Sequence, residues 1–197
     1  MKPWISRHFA RGPLLGWLQA PGSLSAHLAA SGVVFSVQVL RQGRAALTPD
    51  EAQLLRVPAG CAGYAREVLL CVDGYAMVFA RSVTTQMNSL GTWRSVRGLG
   101  SRPLADVLFK RSDIARGPLA FCRLAPTTVL RRRISRRVHA SIPTPLADRM
   151  PRSLLARRST FERRGAALMV MEVFIAPGSV GRAPSRVRAL IQRRRNP

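Results

Sequence analysis

Acidic residues are scarce in this chain. Nine aspartates and glutamates stand against 32 lysines and arginines, for a formal net charge of +23. With a sequence pI near 12.0, the partner should be anionic: nucleic acid, anionic lipid or a small acidic substrate. Cysteine is scarce too. Cys61, Cys71 and Cys122 form no C-x-x-C pair, and that spacing argues against a zinc site and against a disulfide framework. They read as reduced thiols of a cytoplasmic protein. His8, His27 and His139 are the only histidines and share no metal-ligand spacing, so no metal is expected. Aromatics make up 6% and are not interleaved with the basic runs, which argues against an RNA or DNA surface. No segment approaches the roughly 18 uninterrupted apolar residues of a membrane span. The start of the chain is broken by Arg7, Arg11, Gly12 and Pro13, so no signal peptide is expected.

What is present is enough apolar material for a core. A hydrophobic content of 47% and a mean hydropathy of +0.03 exclude a disordered basic protein. The length of 197 residues suits one domain, expected over residues 1–180, followed by an arginine-rich and disordered tail over 181–197.

The pattern along the chain mixes strands and helices. Residues 13–28 read as two helical pieces broken at Pro21-Gly22, with Ser23 capping the second and Leu24 and Leu28 on one face. A β-branched strand covers 33–41, and Gln42-Gly43 is expected to turn the chain. Thr48-Pro49-Asp50-Glu51 opens a short helix through Leu55. Strands over 64–70 and 76–83 flank Asp73-Gly74, a strong hairpin signal. Helices are expected over about 86–96 and from 104 to 109. Residues 116–152 are the least legible: a strand over 119–124, an arginine run over 131–137, several prolines, and in part an exposed insertion. Strands over 154–161 and 166–176 turn near Arg164-Gly165. The sum is an α+β fold.

One residue interrupts the most apolar strand. Glu172 sits near the middle of residues 166–176. An unpaired buried carboxylate costs several kcal/mol, so a cation, a proton or a polar ligand should meet it. The plainer reading places Glu172 at a sheet face, in water beside an arginine.

Four stretches occur in order: Trp17-Leu18 with Gly22-Ser23-Leu24-Ser25; Arg66-Glu67-Val68-Leu69-Leu70-Cys71-Val72-Asp73-Gly74 with Ala80-Arg81-Ser82-Val83; Leu99-Gly100 with Pro103-Leu104 and Leu108-Phe109; and Ala156-Arg157-Arg158-Ser159 with Met171-Glu172-Val173-Phe174 and Pro177. This series resembles the bacterial chorismate pyruvate-lyase family from about Trp17 to Ser179. The resemblance implies a single antiparallel sheet of about six strands with helices packed on it and an enclosed ligand pocket. It implies a cofactor-independent, carbon-oxygen bond-cleaving lyase. Such an enzyme converts chorismate to 4-hydroxybenzoate and pyruvate, the first committed step of ubiquinone synthesis. It also implies roles for four residues. Arg66 would hold the ring carboxylate and Glu172 would meet the hydroxyl end, as the catalytic pair. Leu24 and Leu104 would add backbone and apolar contacts to the substrate. Leu24 stands where the family often has methionine, a volume-conserving exchange.

Chorismate carries two carboxylates, and an arginine fork matches a carboxylate in a way that lysine does not. Arg157, Arg158, Arg81 and Arg41 are all candidates for the second one. Concerted transfer within the substrate and general-base action by Glu172 both remain open. Ser82 and Ser159 carry no nucleophile signature.

Two other readings compete. A basic nucleic-acid-binding protein would use the arginine run and the tail for phosphate contacts. A non-catalytic small-ligand-binding module would share the fold, as in some bacterial transcription regulators, but a winged helix would then precede a motif that begins by Trp17. The chain is expected as a monomer. Two readings of the tail stay open: its arginines hold the chain against anionic membrane lipid, at about 1 kcal/mol per residue near the surface, or they are simply solvated. Equal partitioning of full-length and tail-deleted protein onto anionic vesicles would exclude that contact.

Overall fold

The Asp73-Gly74 pair turns the chain as its sequence predicts. Asp73 adopts φ 50° and Gly74 φ 80°, the left-handed pair that a two-residue hairpin needs. In the computed structural model, which describes residues 4–6, 13–141 and 150–176, this turn joins β2 (Ala62–Val72) to β3 (Tyr75–Thr85). A second left-handed pair, Arg164 and Gly165, joins β6 (Leu154–Arg163) to β7 (Ala166–Phe174). β1 (Phe35–Ala46) pairs antiparallel with β2. The sheet order is β1-β2-β3-β7-β6, and β7 therefore lies inside the sheet, between β3 and β6.

The far edge is a strand in two pieces. β4 (Ala115–Arg116) pairs with the Phe161 end of β6, and β5 (Ala120–Leu124) with its Leu154 end. The sheet thus has seven strands where about six were expected. Gly117 follows β4 because a side chain there would lie 2.8 Å from the Thr160 hydroxyl. Its N–H instead bonds the Thr160 carbonyl at 2.8 Å.

Strand alternation sorts side chains to two faces. On one face, Leu69, Phe79, Met169, Met171 and Val173 pack against two helices, α3 (Pro49–Leu54) and α6 (Val129–His139). A capping box between Thr48 and Glu51 starts α3. Thr128 caps α6, and Ile134 and Val138 are fully buried there, worth about 1.5–3 kcal/mol each. The arginine run of 131–137 is therefore helical, and this part of 116–152 packs on the sheet rather than projecting from it. Leu130, Ile134 and Val138 carry the helical period beneath the arginines.

A buried ion cluster ties these helices to the sheet. Arg81 Nε meets Glu51 at 2.7 Å and its Nη1 meets Glu67 at 2.8 Å, while Arg133 reaches Glu67 at 2.7 Å. Burial pulls the Arg81 guanidinium down, but the hydrogen bonds and charges of Glu51 and Glu67 outweigh it and leave the group more basic than usual.

The opposite face carries two separate apolar clusters. α1 (Pro13–Gln19) and α2 (Leu24–Ala29) cover Val68, Leu70 and Phe174 at one end. Trp93, Val96, Leu99 and Leu108 cover Tyr64, Phe161 and Leu168 at the other. Between the clusters is a gap where Arg66, Ser82, Arg157, Ser159 and Glu172 gather among apolar side chains of both clusters.

Two local expectations fail. Gln42-Gly43 does not turn the chain: β1 runs on to Ala46, with Gly43 at φ 136° paired with Ala65. Only glycine takes that backbone conformation readily, so the residue marks an irregular strand. The helix expected over 86–96 breaks at Gly91 into α4 (Gln86–Leu90) and a 3-10 turn (Arg94–Val96). The tail of 181–197 and residues 142–149 lie outside the described residues.

Candidate active site

The inward residues of four strands build the floor of the gap. Register places Arg66 on β2 opposite Ser82 on β3, Ser82 opposite Val170 on β7, and Val170 opposite Ser159 on β6. One pleat along, Ala80, Glu172 and Arg157 form the next row. Two strand spacings and a two-residue offset put the Arg66 and Glu172 Cα atoms about 12 Å apart. Their side chains converge on one cavity, with about 590 Å³ between its lining residues, mouth included. Leu24 and Leu104 border the same cavity from above. All four residues singled out in the sequence therefore meet here.

Local chemistry explains the two covers. Ser23 accepts from the Ala26 N–H at 3.1 Å and so starts α2 at Leu24, which is buried. Leu104 precedes α5 (Ala105–Leu108) at the end of the loop begun by Leu99. That loop turns two carbonyls inward. Arg66 Nη2 donates to Gly100 O at 2.8 Å and Arg102 O at 3.0 Å. Arg66 is 3% exposed, and its Nε is buried without a hydrogen-bond partner. Burial makes this guanidinium less basic than usual, with the charge of Tyr64 acting the other way.

Glu172 is not solitary. Arg157 Nε donates to its Oε2 at 2.6 Å. Arg157 is fully buried, and its Nη1 donates to the carbonyls of Trp17, Leu18 and Ala20 at 3.0, 3.1 and 3.2 Å. Those carbonyls end α1, whose last turn has no basic residue of its own. A strand arginine thus serves as the helix's C-terminal cation while it fixes the carboxylate.

Three of the four arginines considered for a second carboxylate are placed elsewhere. Arg81 is locked in the ion cluster on the other face. Arg158 also faces that side, paired with Asp50 and stacked 4.3 Å from the Trp4 ring centroid. Arg41 is exposed and donates to Arg44 O. Arg157 alone lines the cavity, and it is joined there by Arg116, which sequence reasoning missed. Arg116 lies at the start of the illegible stretch, and its only sequence signal was the Gly117-Pro118 pair behind it.

No group of three or more potential metal ligands occurs among the described residues. No helix among them is long and apolar enough to cross a membrane. Fold and site together define an α+β sheet domain with an arginine-lined pocket. PhnF from Mycobacterium smegmatis shares the fold, with a TM-score of 0.55 at 16% identity over 81% of this chain and 66% of that one. A PhnF C-terminal domain matches with a TM-score of 0.52 at 17% identity, over 76% of this chain and 87% of that one.

Sequence comparison carries the assignment further: a family model described as chorismate lyase matches residues 8–183, and the chain belongs to that family. A probable chorismate pyruvate-lyase of Albidiferax ferrireducens is 54% identical over 177 residues, 90% of this chain and 88% of that protein. Another, from an Azoarcus species, is 43% identical over 87% of this chain and 89% of that protein.

Proposed function

We propose that this protein is a chorismate pyruvate-lyase, which releases 4-hydroxybenzoate and pyruvate and so supplies the aromatic ring of ubiquinone. The observation that carries the reading is the pairing of an anion anchor with a hydroxyl acceptor across one pocket. Arg66 presents a buried Nε without a partner, and Glu172 stands on the neighbouring row of the sheet. The family membership supports the same reading.

The chemistry follows from that geometry. Arg66 takes the ring carboxylate, and the Glu172 carboxylate, held by Arg157, accepts the hydrogen bond of the ring hydroxyl. The ether bond between the ring and the enolpyruvyl oxygen breaks. The ring carbon bearing the hydroxyl gives up its hydrogen, and the enolpyruvyl methylene becomes the pyruvate methyl. Atoms balance within the substrate, and aromatisation supplies the driving force. The protein's part is to hold the arm in a reactive pose and to exclude water. Leu24 and Leu104 close the pocket over the ring.

The test is to mix purified protein with chorismate and follow 4-hydroxybenzoate, with Arg66→Ala and Glu172→Ala alongside. Product from the wild type, lost in both folded variants, is the expected result. A folded wild-type protein that binds chorismate without turning it over would instead make the chain a binding module.

A further inference from the structure

The pocket holds more positive charge than it neutralises. Arg66, Arg116 and Arg157 line it, and Glu172 is the one carboxylate among its described lining residues. Glu172 is taken up by Arg157. Two guanidinium charges are left over, on Arg66 and Arg116. Neither forms an ion pair with a carboxylate among the described residues.

Arg116 is held in place by groups that do not cancel its charge. Its Nε donates to Ser159 Oγ at 3.1 Å and its Nη1 to Gly22 O at 3.1 Å. The guanidinium carbon lies 5.8 Å from the Phe109 ring centroid and 5.5 Å from that of Phe161. Burial, and then the charge of Arg157, make it less basic than usual, while Glu172 acts against them. An unpaired cation beside a second buried cation is unfavourable until an anion arrives.

Position decides which anion. Arg66 lies on β2, and Arg116 lies on β4, beyond β7 and β6. Arg116 therefore borders the Glu172 side of the pocket, away from Arg66. In chorismate the enolpyruvyl arm leaves the ring from the carbon next to the hydroxyl-bearing one. A ring held by Arg66 at its carboxylate and by Glu172 at its hydroxyl places that arm at the hydroxyl end of the pocket, the end that Arg116 borders.

Resting on the lyase reading above, we propose that Arg116 binds the enolpyruvyl carboxylate, and that it is the residue by which the site distinguishes dianionic chorismate from monoanionic 4-hydroxybenzoate. Two unpaired arginines then match two substrate carboxylates. After cleavage, the Arg116 contact goes with pyruvate, and the aromatic product keeps Arg66 alone.

The experiment compares wild type, Arg116→Met, Arg116→Lys and Arg66→Ala. It measures KM and kcat for chorismate, the inhibition constant of 4-hydroxybenzoate, and calorimetric binding of both ligands. Arg116→Met should raise KM for chorismate on the order of tenfold to a hundredfold, the worth of charge-assisted hydrogen bonds. It should leave 4-hydroxybenzoate affinity within about twofold, whereas Arg66→Ala should weaken both ligands. Arg116→Lys, which keeps the charge and loses the fork, should fall between, and it reads the same ratio if the methionine variant is unstable. Equal losses for both ligands, or an unchanged KM, would overturn the proposal by reducing Arg116 to a structural contact. Wild-type protein that neither turns over nor binds chorismate removes the lyase reading and this proposal together. Turnover by wild type with an unshifted ratio in Arg116→Met removes only this one.

Discussion

Replacing Arg157 with methionine should be the most damaging single change near the site. The guanidinium is fully buried, and the carboxylate side chain it meets at 2.6 Å is 15% exposed. Removing one partner of a buried pair costs about 3–5 kcal/mol, because the other charge stays behind. Three carbonyls at the end of α1 lose their donor as well. That adds about 1 kcal/mol or more, for a total of roughly 4–6 kcal/mol. Domains of this size have only about 5–15 kcal/mol in hand. At 2–4 °C per kcal/mol, the melting temperature should fall by roughly 10–20 °C. Methionine fills most of the volume and supplies no charge, so the loss reports electrostatics rather than a cavity. Glu172→Gln keeps an oxygen facing Arg157 Nε and should cost less, about 1–3 kcal/mol. The double variant no longer carries an orphaned carboxylate, so its loss should be smaller than the sum of the single losses by about 1–3 kcal/mol. Thermal and denaturant unfolding of the four proteins measure this cycle. A melting temperature for Arg157→Met within about 4 °C of wild type, or strict additivity, would falsify the account of Arg157 as a simultaneous clamp on Glu172 and α1.

Two further outcomes are expected. Arg81→Met strands the Glu51 carboxylate on the other face and leaves Glu67 its contact with the helix arginine Arg133, and should cost about 3–5 kcal/mol. Below its melting point that variant should keep the wild-type KM for chorismate, and a changed KM would show that the two faces are coupled. Burial pushes the Cys71 thiol above its ordinary range, whereas Cys61 is half-exposed. A maleimide at neutral pH should therefore label Cys61 first and Cys71 only on unfolding. Equal labelling rates in folded protein, read by mass spectrometry, would contradict the burial argument.

Legibility in the sequence followed the range of the interactions. Thr48, Ser23 and Asp73-Gly74 act on neighbours within a few residues, so the helix starts and the hairpin stand where the sequence predicts them. Gly91 is no less local, yet the helix expected over about 86–96 runs through it and the backbone breaks there. α6 was hidden by composition: the arginines of 131–137 masked a period carried by Leu130, Ile134 and Val138. Gly43 read as a turn because glycine marks both turns and irregular strands, and only pairing with β2 separates the two.

The sequence by itself determined the sign of the ligand, the positions of most strands, and the four residues that the motif series carries. Composition is a sum over the chain, and alternation along a strand is local, so neither needs the fold to be read. Tertiary structure decided which charges meet. Arg66 and Glu67 are adjacent in the chain but point to opposite faces, one to the pocket and one to the Arg81 cluster. Glu172 is a neighbour of Arg157 only because β7 pairs with β6 in the observed register. Arg116 reaches the pocket only because the broken edge strand lies against β6, with Gly117 allowing the close approach. Such meetings depend on strand order and register across the sheet, which are settled by burial of all the strands at once and leave no mark at any one of these residues.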